Sequence, residues 1–244
     1  MKKILSVVLI LLAFVVSSAV FAGDATSEVK VEGVTEWSKK TLDLHQDLEP
    51  GETIGKIIYK KNQQTVNISQ SIENGLAFSA LIGTGRVHTN DISLSSYGME
   101  IGSLKIKGKQ GLVLGAGIGY TYLVSDYLNI EPAFNFEYFG SKYKGSGFGD
   151  SWDGKLKEYI YDTRILARLK NDNFSIYAGP AYINSKIRLK EEEDKTKLDS
   201  SKPWQTIVGA EYAASLEGGW GAKIEGGFRN KDNISGTLAF NYRF

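Results

Sequence analysis

Eleven charged residues stand at alternate positions of the chain, on the polar side of runs whose other side is apolar. They are Glu131, Glu137, Glu158, Asp162, Glu211 and Glu225, with Arg164, Arg168, Lys223, Arg229 and Arg243. Six acids and five bases facing one confined space can neutralise one another. An unpaired charge in a tight interior costs several kcal/mol, so mutual pairing is the expectation. The first expectation is therefore a salt-bridged, side-chain-filled interior, with a narrow charge-lined pore for small solutes or ions as the alternative.

Other candidate chemistry is thin. The chain carries two histidines, His45 and His88, and no cysteine. A hydrolase would need a histidine beside an acid or a serine, and His88 with Asp91 in "GRVHTNDIS" is the only nearby pairing. It has no accompanying motif, so no enzyme activity, no cofactor and no metal site is expected; a hydrolase stays as a remote alternative. "GAGIG" at 115–119 is followed by Tyr120, which breaks the spacing of a dinucleotide loop. Its glycines fall on one strand face, where they leave inward space. The "EEED" run at 191–194, among Lys186, Arg188, Lys190, Lys195, Lys197 and Lys202, reads first as a solvated loop, though it could meet divalent cations or lipopolysaccharide phosphates.

The elements that must position these charges are strands. "GLVLGAGIGYTYL", "YLNIEPAFNFEYF" and "KEYIYDTRILARL" each alternate large apolar with small or polar residues, the period-two pattern of a strand with two unlike faces. Further strands read as 174–185, 204–215, 220–229 and the terminal "ISGTLAFNYRF". Lengths of roughly 10–12 residues suit a tilted strand crossing a bilayer. Short turns at 124–126, 170–172 and 217–219 alternate with long polar connections at 140–154 and 186–202. Aromatic residues collect near strand ends. Together these predict an all-β, antiparallel, up-and-down transmembrane barrel. Ten strands are favoured, counting 75–85 and two from "TIGKIIYK" and "QTVNISQSI". Eight follow if 23–72 stays outside, and twelve if "DISLSSYG" and "MEIGSLKIK" also span. Pro132 and Pro180 fall inside predicted strands, where each removes a ladder hydrogen bond and calls for a bulge.

The start, "MKKILSVVLILLAFVVSSAVFAGDA", has a basic beginning, a short apolar run and a small-residue site before Gly23, the layout of a secretory signal peptide. The predicted organisation is a signal peptide at 1–22, an N-terminal periplasmic segment at 23–52, with an extra piece of the wall as the alternative for that stretch, and a barrel at 53–244. Removing Lys2 and Lys3 takes the 29 basic residues to 27 against 28 acidic ones. That balance argues against a nucleic-acid partner.

The terminal "LAFNYRF", with Phe244 last and Tyr242 and Phe240 two and four positions earlier, resembles the C-terminal assembly signal of Gram-negative outer-membrane β-barrel proteins, the porin-like or OmpA-type class. The resemblance implies a bacterial outer-membrane location. It implies contact with outer-membrane lipid and lipopolysaccharide, handling by periplasmic chaperones and the outer-membrane assembly machinery, and a monomeric barrel with a structural or surface-interaction role. If Phe244 is the outermost part of such a signal, its deletion should reduce the heat-modifiable folded form in outer-membrane fractions while expression continues. Unchanged assembly of the truncated chain would refute the assignment.

Overall fold

The computed structural model describes residues 28–45, 53–72, 74–89, 92–96, 99–147, 150–191, 194–200, 203–214 and 219–244; the expected signal peptide at 1–22 lies outside them. Their strands are β1 (Glu28–His45), β2 (Thr53–Ser71), β3 (Leu76–Thr89), β4 (Ile92–Ser96), β5 (Met99–Gly108), β6 (Gly111–Tyr120), β7 (Tyr122–Leu123), β8 (Leu128–Gly147), β9 (Asp150–Asn171), β10 (Phe174–Glu191), β11 (Asp194–Ser200), β12 (Trp204–Ala213), β13 (Gly219–Asn230) and β14 (Asn233–Arg243). Among the described residues ten of these close a ring, in the order β1, β2, β3, β6, β8, β9, β10, β12, β13, β14 and back to β1. Every neighbouring pair is antiparallel. A closed ring leaves no unpaired edge, and this lets a sheet cross lipid.

Both ends of the described chain share one rim with the paired strand ends of β2 with β3, β7 with β8, β9 with β10 and β12 with β13. Local chemistry sets the turns at Gly75 and Asp172. Gly75 adopts φ 85° while the Asn74 side chain accepts from the Leu76 amide at 2.9 Å. Asp172 adopts φ 40° in the turn that pairs Asn171 with Phe174.

Two boundaries differ from expectation. Residues 28–45 are not a periplasmic segment: β1 pairs with β14 from Lys30↔Arg243 to Lys39↔Ile234, and with β2 along its length. Residues 53–71 form one strand rather than two. The ring is therefore ten-stranded with different membership.

The polar stretches at 140–154 and 186–202 are also largely not loops. β8 and β9 run on in unbroken register to Gly147↔Asp150. β11 pairs with β10 (Lys186↔Asp199) and β1 (Leu42↔Ser200), and β5 joins β8 (Lys107↔Lys144). β4 and β5 form a hairpin on this extension. Beyond the lipid band the wall thus continues as a second collar, with β11 in place of β12 to β14.

Along β9 the two levels are clear. Leu169, Ala167, Ile165 and Tyr161 face outward, with Arg168, Arg164, Asp162 and Glu158 inward. Higher up, Lys157 and Lys155 face outward and Leu156 inward. The faces have exchanged polarity because the outside solvent has changed from lipid to water.

The prolines are absorbed without a bulge. Pro132 pairs opposite Ile165 in continuous register, and at Pro180 the register with β9 lapses only at Gly179 and Pro180. The inward glycines of β6 give their space to neighbours: a Cβ on Gly117 would lie 2.2 Å from Asn135 Oδ1. Gly179 is tighter still, since a Cβ there would stand 2.0 Å from the Ile165 carbonyl oxygen. Gly179→Ala should therefore destabilise the folded barrel by about 1–3 kcal/mol in a urea titration. Gly226→Ala, whose Cβ meets nothing nearer than 4.0 Å, should change stability by less than about 0.5 kcal/mol. Equal effects would contradict the packing described.

Candidate functional site in the lumen

Inward-facing positions of eight of the ten strands, all but β3 and β6, build three layers of charge. Nearest the terminal rim, Arg168 Nε donates to both Glu131 oxygens at 2.8 and 2.9 Å. Its Nη1 reaches Ser175 at 2.7 Å and Glu211 at 3.0 Å, and its guanidinium lies 4.5 Å over the Tyr177 ring. Glu211 also accepts from Lys30 at 2.6 Å and Arg243 at 3.0 Å. Lys30 pairs with Glu32 at 2.9 Å, Lys223 approaches Glu32 at 4.0 Å, and Arg243 approaches Glu28 at 3.3 Å.

In the middle layer Arg164 pairs with Asp162, two residues away on its own strand, and with Glu225 across the lumen at 3.0 Å. Tyr177 donates to the same Glu225 at 2.9 Å.

In the third layer Lys61, only 2% exposed, pairs with Glu137 and stands 3.2 Å from Glu158. Lys40 reaches Glu158 at 3.4 Å and Ser185 at 2.8 Å, and Tyr59 donates to Glu158 at 2.8 Å. Gln63 Nε2 donates to Glu36 and Glu137, both at 3.0 Å.

Ten of the eleven charged positions singled out from sequence thus lie in these layers, and Arg168 meets Glu131 across the hairpin of β8 and β9, whereas Arg164 does not pair across it. Arg164 turns to Asp162 and Glu225 instead of Glu131 or Glu137, because the lumen is narrow enough for a long side chain to cross it. Arg229 is the exception. It sits exposed at the far end of β13 and donates to the Trp204 carbonyl at 3.2 Å, beyond the charged layers. Sequence reasoning missed Glu28, Lys30, Glu32, Glu36 and Lys40, all on β1, and Lys61 and Gln63 on β2. The alternation "KVEGVTE" was a usable signal.

Above the third layer the interior becomes apolar. Leu42, Ile57, Tyr59, Val87, Ile106, Val113, Phe139, Tyr143, Leu156, Ile187, Leu189 and Leu198 form one buried cluster. Tyr59 and Phe139 join the two regimes, since Tyr59 holds Glu158 and Lys61 lies 5.2 Å over the Phe139 ring.

The remaining candidates sit elsewhere. His88 is on the outer face, in register with Lys60 and Lys107. Partial burial, then the Lys60 and Arg86 charges, push its imidazole below the ordinary range. Asp91 lies outside the described residues, as does part of 191–194. Among the described residues no group of three or more histidines or carboxylates could hold a metal ion.

At the terminal rim Tyr242 packs edge-on against Phe244 at 4.7 Å and Trp220 at 5.1 Å. Phe240 and Phe244 are exposed there. At the other interface Tyr138 meets Tyr159 at 5.5 Å and Tyr182 meets Trp204 at 5.2 Å.

No protein-family model matches the chain, and no curated protein sequence is significantly similar to it. Solved structures do resemble it. The outer membrane protease OmpT from Escherichia coli superposes with a TM-score of 0.55 at 12% identity, covering 90% of this chain and 95% of that one. The translocator domain of the autotransporter NalP from Neisseria meningitidis gives 0.50 at 14% identity, covering 95% and 94%. At such identity the likeness establishes the fold alone, which is that of outer-membrane β-barrel proteins.

Removing one partner of a buried ion pair costs about 3–5 kcal/mol, because the other charge is left stranded. Arg164→Ala, which strands both Asp162 and Glu225, should lower unfolding free energy by that amount in urea. Arg229→Ala should leave it within about 0.5 kcal/mol. A negligible effect of Arg164→Ala would mean that water fills the middle layer.

Proposed function

We propose that this protein is a closed barrel of the bacterial outer membrane that acts through its outer surface and passes no solute. In this reading it is exported by the cleaved segment 1–22, assembled through the Phe240–Tyr242–Phe244 end, and is not an enzyme. One observation carries the closed lumen: the apolar cluster that fills the interior beyond the charged layers, in which Leu42, Ile57, Val87, Val113 and Phe139 have no exposed surface. Ion passage through such a plug would require stripping hydration with no polar group in exchange. A scaffold and surface role needs no lumenal chemistry, which fits charges engaged with one another.

A narrow pore is the second reading, and one feature favours it. A cavity of about 120 Å³ lined by Glu36, Asp162, Arg164 and Glu225 also reaches Lys39, Ile234 and Pro203. Lys39 and Ile234 point away from the lumen by strand alternation, so this cavity meets the wall where β11 gives way to β12 to β14.

Refolded protein in a planar bilayer is expected to show no steady conductance steps. Opening the plug with Phe139→Ala, Leu156→Ala and Ile187→Ala together should create them. Steps from the unaltered protein, with ion selectivity shifted by Arg164→Ala, would replace the closed barrel by the pore.

A further inference from the structure

The outer face of the collar carries a charge pattern that the lumen does not explain. Register places Lys142 opposite Lys155 and Lys155 opposite Lys190, a row of ammonium groups across β8, β9 and β10. Two residues nearer the lipid band, Lys157 stands opposite Arg188. All five are exposed. Like charges directly opposite in adjacent strands destabilise a sheet. Asp153 is the only carboxylate, among the described residues, on the outward face of 140–147, 150–157 and 186–190.

The height of these rows is informative. The next row down is Tyr138 opposite Tyr159, in line with Lys186, at the level of the interfacial aromatic ring. At about 3.3 Å per residue the two basic rows lie roughly 7 and 13 Å further along the strands. With a strand tilt of about 40° that is roughly 5 and 10 Å above the ring. The head-group zone extends about 5–8 Å beyond the hydrocarbon on each side. The Arg188 guanidinium lies 5.7 Å over the Tyr159 ring, which holds a planar double donor suited to phosphate at that level. Depressions of about 540 Å³, lined by Lys157, Tyr159, Arg188 and Lys197 among others, and about 400 Å³, lined by Lys109, Lys142, Lys155 and Lys190 with Asp153, open beside the rows.

We infer that this face of β8, β9 and β10 is a binding platform for the phosphate groups of the phosphorylated glycolipid of the outer leaflet. The lipid anion offsets the cross-strand repulsion that the bare protein bears. The inference deepens the surface role proposed above and rests on the long-strand end facing outward.

The test compares the full refolded protein with a variant carrying Lys155→Gln, Lys157→Gln, Arg188→Gln and Lys190→Gln. Midpoints of heat-modifiable unfolding are measured in detergent alone, with bis-phosphorylated lipid A, with dephosphorylated lipid A, and with inorganic phosphate. The unaltered protein should gain stability only from bis-phosphorylated lipid A. The variant should equal or exceed the parent in detergent alone and lose that gain. Each surface cation contributes about a fivefold factor in affinity for an anionic lipid, so lipid A binding should fall well over tenfold. Lys60→Gln with Lys231→Gln, elsewhere on the outer surface, should leave the gain intact.

An equal gain from inorganic phosphate or dephosphorylated lipid A, or an undiminished gain in the variant, would overturn the inference. Orientation is read separately by labelling Ser151→Cys in intact cells with an impermeant maleimide, the natural chain having no cysteine. Labelling without a lipid A response refutes the platform alone, whereas absence of labelling removes the outward orientation on which it rests.

Discussion

The structure depends on what surrounds the wall at each height. Against lipid a strand can keep its backbone bonds only in a closed ring, and it must turn its polar side chains inward. Once inward they share a volume only wide enough for side chains, so each ion needs a counter-ion. Glu211 shows the consequence: three cations, Lys30, Arg168 and Arg243, come to it from three different strands. The ring thus locks itself at two levels, by ladder bonds along its circumference and by ion pairs across its diameter.

The same rule run in water gives the collar. Where the outside is wet, the lysines of β8, β9 and β10 face outward, and Leu156, Ile187, Leu189 and Leu198 turn in to form a core of the ordinary globular kind. This core gives the long strands a reason to continue past the membrane, since their inward faces bury apolar surface there. In the proposed reading it also closes the lumen, so that closure would follow from stabilising the extension and require no dedicated plug domain. Glu158, fully buried and held by Lys40, Lys61 and Tyr59, sits at the seam.

Much of this was legible in the sequence because alternation survives wherever one face meets lipid. The strands β6, β8, β9, β12, β13 and β14 announce themselves with large apolar residues at every second position. β2 did not, for a physical reason. Its lower half turns Val66 and Ile68 outward to lipid, whereas its upper half turns Ile57 and Tyr59 inward to the cap. The apolar residues change phase halfway, and one strand reads as two. β1 was hidden differently. Its lipid face, Val29, Val31, Gly33, Thr35 and Trp37, has few bulky groups, so the charged inner face of Lys30, Glu32, Glu36 and Lys40 passed for a polar tail. The long connections were misjudged because exposed lysines look like loop composition when the buried partner face is not counted. Ion-pair partners were the least legible feature, since a guanidinium that crosses the lumen, as Arg164 does to reach Glu225, obeys no hairpin neighbourhood.

Neighbouring residues on one strand test the dry, closed interior most directly. Lys186 is exposed, and Ile187 is 1% exposed within the cap. Cysteine placed at each position of the otherwise cysteine-free chain should behave oppositely toward an impermeant maleimide in the folded barrel. Lys186→Cys should label at once, and Ile187→Cys should stay unreactive until urea unfolds the protein. Labelling of both at the same rate would contradict the account, because it would place water where the apolar cap is said to close the lumen.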